Sequence, residues 1–203
     1  QHGGVTYIRV SDNGCGISPE DVPLVFRRHA TSKIRREEDL DAIATLGFRG
    51  EAMASIAAVS RVEMMTRTAD SEEGTMYMIY GGEEQDQYPI GCPVGTTIIA
   101  RDLFYNTPAR MKFLKKDVSE ANSVAVVVEK AALSHPEVSF KFIRDGQVKM
   151  HTPGDGKLLS AIHAVLGREI AASMIPVDYE AFGMKISGYT CKPVDSRSNR
   201  TMQ

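Results

Sequence analysis

Ser11-Asp12-Asn13-Gly14-Cys15-Gly16-Ile17 is the stretch that decides how this chain reads. The run from Val5 to Ser11 is apolar and β-branched enough to be a strand, and it delivers a carboxylate, Asp12, followed by glycines at alternate positions. Glycine lets a ligand approach the backbone closely. An anchored aspartate there can accept hydrogen bonds from a ligand's amine, while the glycines leave room for a flat ring. Asp-Asn-Gly is equally an ordinary turn signal, so on these residues alone a bare turn and a binding site both remain open.

Downstream, Ser18-Pro19-Glu20-Asp21 reads as a helix start, with a capping serine and a proline suited to the first turn. Val22, Leu24, Val25 and Phe26 supply its buried side. Arg27 to Leu46 is polar and charge-segregated: Arg27, Arg28, His29, Lys33, Arg35 and Arg36 are followed by Glu37, Glu38, Asp39 and Asp41, and Thr31-Ser32-Lys33 sits inside. Such a segment is a candidate lid or a solvated loop. Then Gly47-Phe48-Arg49-Gly50-Glu51-Ala52-Met53 leads into an alanine-rich helix. The unpaired amides of a helix's first turn favour anions, so this is either a phosphate cradle or a tight turn before a packed helix.

Strands are expected over 61–68, 74–80 and 94–101, with Thr96 able to offer a hydroxyl from the last. A loop over 102–110 precedes the basic residues Lys112, Lys115 and Lys116. Asp117-x-x-Glu120 opens a long helix to about Leu133. Asp145-Gly146 joins a hairpin, and Pro153-Gly154-Asp155-Gly156 is the best linker. An amphipathic helix over 157–166 and strands over 175–179 and 184–191 follow.

Composition bounds the rest. With 203 residues, 42% hydrophobic and 25% charged, the chain is an ordinary globular sequence of one large or two modest domains. Its net charge of -2 carries no global signature of nucleic-acid binding, so any DNA contact must be local. Three scattered cysteines and five histidines lack metal-ligand spacing, and the cysteine usage suits a reducing compartment. Without a signal peptide or membrane-spanning run, the expected location is cytoplasmic and no membrane partner is expected. A start at Gln1 and a stop at Gln203 read as an internal piece of a longer protein. There is no Gly-x-x-x-x-Gly-Lys-[Ser/Thr] loop, no third glycine of a dinucleotide fingerprint, and no calcium loop from Asp12, because Pro23 stands where the bidentate acid belongs.

Asp12-x-Gly14-x-Gly16, Gly47-Phe48-Arg49-Gly50-Glu51 and Gly95-Thr96 occur in this order, with Ala30-Thr31-Ser32-Lys33-Ile34 between the first two. Together they resemble the GHKL ATPases. The fuller strings, including Asp102-Leu-Phe-Tyr-Asn-Thr-Pro-Ala-Arg110-x-Lys-Phe-Leu114, are similar to the MutL family of mismatch-repair proteins. The resemblance implies an α+β sandwich of helices on a mixed, mostly antiparallel sheet. It implies a GHKL ATP-binding domain over 1–153 that lacks its first helix, and the truncated start of a second, transducer-like α/β domain over 154–203. Asp12 would take the adenine amine, with Gly14 and Gly16 making space. Thr31, Ser32 and Lys33 would belong to a lid. Gly47, Phe48, Arg49, Gly50, Glu51, Ala52 and Met53 would cradle the phosphates, and Thr96 would support the adenine. Met53 stands where the family usually has leucine, a volume-preserving exchange.

The family's cofactors are ATP and Mg2+. Its partners would be a second copy on ATP binding, a mismatch-recognition protein, and DNA through the Arg27–Arg36 and Arg110–Lys116 patches. The family hydrolyses ATP with a glutamate and an asparagine one helical turn apart, and this chain has no Glu-x-x-x-Asn. Binding with poor hydrolysis is therefore expected. The alternatives are another GHKL ATPase of topoisomerase type and a non-hydrolysing, nucleotide-switched interaction module.

Overall fold

Alternating side chains build the main sheet. In β2 (Arg61–Arg67), Val62, Met64 and Thr66 point to one face and are buried, while their neighbours are more open. β3 (Gly74–Tyr80) repeats the pattern with Thr75, Tyr77 and Ile79. This period of two is what a half-buried strand requires. With β1 (Tyr7–Asp12), β4 (Glu83–Ile90) and β5 (Gly95–Arg101) these strands form one sheet in the order β1-β5-β2-β3-β4, every pair antiparallel. The computed structural model describes residues 1–30 and 50–195.

One face of the sheet carries the core. Val62, Met64, Tyr77 and Ile79 pack with Val22 and Phe26 of a 3-10 helix, Val22–Phe26, and with Ala57 of α1 (Ala52–Ala57). The Phe26 and Tyr77 rings stack with centroids 5.3 Å apart. The helix expected after Ser18 is this single 3-10 segment. Ser18 accepts the amides of Asp21 and Val22 with its backbone carbonyl, and its hydroxyl is engaged by Asp21 rather than by the helix start. On the opposite face, Arg101 meets both carboxylate oxygens of Glu63, at 3.2 and 3.4 Å, bracing β5 against β2.

The chain divides into two compact units, Gln1–Asp117 and Val118–Gln203. The boundary expected at 153/154 falls within the second unit, between His151 and Leu158. The first unit also holds the short α2 (Pro108–Met111). The second contains most of α3 (Asp117–Ser134), the β6–β7 hairpin (Lys141–Arg144, Gln147–His151), α4 (Leu158–Leu166), α5 (Arg168–Ser173) and the β8–β9 hairpin (Met174–Ala181, Met184–Cys191). Asp145 and Gly146 both take positive φ, +48° and +78°, as a two-residue hairpin turn needs. Phe182-Gly183 does the same between β8 and β9, at +53° and +73°. β4, α2 and α5 were not anticipated from the sequence, which read 102–110 as a loop.

Candidate nucleotide site

The register of the sheet assembles a polar row at one end of the core face. Asp12 pairs with Thr96, Thr96 with Thr66, and Thr66 with Thr75. Directly opposed residues share a face. Two residues along each strand stand Val10, Ile98, Met64 and Tyr77, the next row on that same face. The core therefore changes from apolar to hydroxyl and carboxylate within one strand step.

Asp12 is fixed by backbone donors. Its Oδ1 accepts the amide of Gly14 at 2.9 Å and the amide of Thr96 at 3.2 Å. The first closes the turn that Asp-Asn-Gly signals, and the second ties the carboxylate to β5, so the turn and the anchored carboxylate coexist. Gly16 has φ +74°, and a Cβ there would collide with the Arg67 carbonyl. Gly95, at φ +116°, lies equally close to the Asp12 carbonyl. Glycine is required at both positions by conformation and by space.

Thr66 joins this group, and sequence reasoning missed it. Only 1% exposed, its hydroxyl accepts the amide of Ile17 at 2.9 Å, donates to the Gly95 carbonyl at 3.1 Å, and lies 3.0 Å from the Thr96 hydroxyl. A threonine inside a β-branched strand carries no local signal of such a role. Only the register reveals it.

The phosphate-cradle expectation is described in part. Gly50 has φ +64°, and a Cβ there would strike the Ala30 carbonyl. Glu51 precedes α1, and its carboxylate lies 3.2 Å from His29 Nδ1. Ala52 opens α1, and Met53 packs against the core. Thr31, Ser32, Lys33, Gly47, Phe48 and Arg49 lie outside the described residues.

The Asp102–Arg110 string has a structural account. Leu103 and Phe104 donate their amides to the carbonyls of Val5 and Val59, and the Asn106 side chain donates to the Ala58 carbonyl. Tyr105 stacks on the Arg61 guanidinium, 4.8 Å from ring centre to carbon. The loop thus clamps the end of α1 to the start of the chain. In the second unit a cleft of about 880 Å3 is lined by His151, Lys157, Ser160, His163, Arg168 and Tyr189 among others. None of the expected nucleotide residues lines it. No helix among the described residues is long and apolar enough to cross a membrane.

Helices on one face of an antiparallel sheet, with an Asp-x-Gly-x-Gly turn at its end, define the fold of the GHKL ATPase domains. Solved structures agree. The Aquifex aeolicus MutL ATPase domain complexed with ADP is 29% identical, with TM-score 0.68 over 86% of this chain and 60% of that one. The ATPase domain of the bacterial mismatch repair endonuclease Aquifex aeolicus MutL is 26% identical, with TM-score 0.67 over 96% and 62%. Among curated proteins, the DNA mismatch repair protein MutL of Agathobacter rectalis is 49% identical over all 203 residues, which is 31% of its own length. Its counterpart from Pelotomaculum thermopropionicum is 49% identical over 199 residues, 33% of its length. No family model matches. The chain belongs, along its whole length, to the MutL family, and it spans about a third of the curated relatives it matches.

Proposed function

We propose that the chain is the ATP-binding part of a MutL-type mismatch-repair ATPase. The observation that carries this reading is the state of Asp12. Oδ1 is taken by two backbone amides, which leaves Oδ2 to accept from the exocyclic amine of adenine. A relative's ATPase domain in complex with ADP supports the same ligand class. Gly14 and Gly16 line the ring, Thr96 supports it from β5, and Gly47 to Met53 receives the phosphates. Thr31, Ser32 and Lys33 act as the lid, ordered by phosphate charge and passing that order to a second copy. The dimer then couples a mismatch-recognition protein in the cytoplasm to later repair steps. Arg27 to Arg36 and Arg110 to Lys116 are the surfaces offered to DNA, whose hold should weaken steeply with salt.

Magnesium accompanies ATP in this reading, and the phosphates would supply part of its coordination; among the described residues no three His, Cys, Asp or Glu side chains gather in a way that could hold a metal ion. The chain also contains no Glu-x-x-x-Asn. No step is assigned to the metal, and no general base is assigned to water. The chain therefore binds ATP and turns it over poorly. Phosphate release at saturating ATP should stay at the background rate. Steady release that disappears with Asp12→Ala would contradict this part of the proposal.

A further inference from the structure

The hydroxyl of Thr66 has one proton and two lone pairs, and it meets three partners in a nearly waterless position, 1% exposed. The Ile17 amide can only donate to it, and the Gly95 carbonyl can only accept from it. One lone pair is left for the third partner, the Thr96 hydroxyl at 3.0 Å. All four groups are satisfied in one arrangement: Thr66 donates to Gly95, and Thr96 donates to Thr66. Buried polar networks settle into the arrangement that leaves nothing unpaired.

Thr96 is then held at both ends. Its amide donates to Asp12 Oδ1, and its hydroxyl proton is committed to Thr66. What remains to a ligand is acceptor capacity alone, on Thr96 Oγ1 as on Asp12 Oδ2. We propose that Thr66 is a positioning residue that locks the Thr96 hydroxyl as an acceptor, and so makes the base pocket select a ring bearing an amino group. This rests on the adenine reading of Asp12 and adds a residue that touches no ligand. The same hydroxyl holds the Gly16-Ile17 turn to β2 and β5, so the glycine turn and the selecting hydroxyl share one anchor.

The test compares ATP with purine riboside triphosphate, which lacks only the amine, by calorimetry on the protein and its Thr66→Val and Thr66→Ser variants. Valine keeps the shape and removes the hydroxyl; serine keeps the hydroxyl. The wild type should prefer ATP. Thr66→Val should weaken ATP about tenfold, the worth of one well-made hydrogen bond, while the purine analogue changes by less than about threefold, and Thr66→Ser should restore the preference. If valine does not fold, Thr66→Cys, with its weak sulfur acceptor, serves in its place. Equal weakening of both ligands, or no change in either, would overturn the proposal, because a merely structural threonine moves both together. Asp12→Asn separates the two levels of inference. If that variant binds ATP as tightly as the wild type, the adenine reading fails, and with it the role of Thr66; if it loses ATP while Thr66→Val keeps the full preference, only the role of Thr66 fails.

Discussion

At the scale of single residues, Gly16 ties conformation to chemistry most tightly. Its φ of +74° is open to glycine, and a Cβ would meet the Arg67 carbonyl, a backbone atom that cannot swing aside. Gly16→Ala should cost about 2 kcal/mol or more, from left-handed strain together with the clash. Equilibrium urea unfolding measures it, and an unchanged midpoint would contradict the account. Asp12, Gly14, Gly16 and Thr96 were legible in the sequence because glycine spacing after a strand is unusual and carries a physical meaning. Thr66 was not legible. Its importance comes from a proton count among four groups that are distant in sequence, and a threonine in a strand announces none of them.

At the scale of elements, β1, β2, β3 and β5 could be read because they are apolar and rich in β-branched or aromatic residues. β4 could not. Glu83-Glu84-Gln85-Asp86-Gln87 has almost no apolar content, since an edge strand packs little and benefits from charges that discourage pairing with other chains. α5 is short and partly polar, so no helical stripe marks it. The hairpin at Asp145-Gly146 was legible because its turn type demands those residues, although the pairing shifts register between Phe142 and Ile143. β4 is fastened to the core partly through the Tyr77 hydroxyl, which donates to Glu84 at 2.9 Å. Burial, reinforced by the Glu84 carboxylate, pushes the Tyr77 phenol from 10.0 up to about 12. A folded pKa raised above the unfolded one means that this contribution to stability is complete below pH 10 and is lost as pH rises toward about 12. Tyrosinate absorbance should reveal one phenol titrating near the upper value, and Tyr77→Phe should flatten the alkaline loss of stability. A loss of the same size in the phenylalanine variant would contradict the assignment.

At the scale of the molecule, the sheet order β1-β5-β2-β3-β4 makes the site possible. It sets the end of the first strand beside the fifth and the second, so that residues 12, 96 and 66 become one row. The class of fold was readable from motif order, and the row only from topology. The chain packs as two compact units that part at Asp117 and Val118, and the linker expected from composition at Pro153-Gly154 lies inside the second. Because the chain spans about a third of its curated relatives, nucleotide binding is the activity to test on it first. The most direct measurement is calorimetric titration of this chain and its Asp12→Asn variant with a non-hydrolysable ATP analogue. The account predicts saturable binding by the parent chain and its loss in the variant, whose amide brings a donor to face the adenine amine. Equal binding by both, with both folded, would contradict the central claim that Asp12 receives the base.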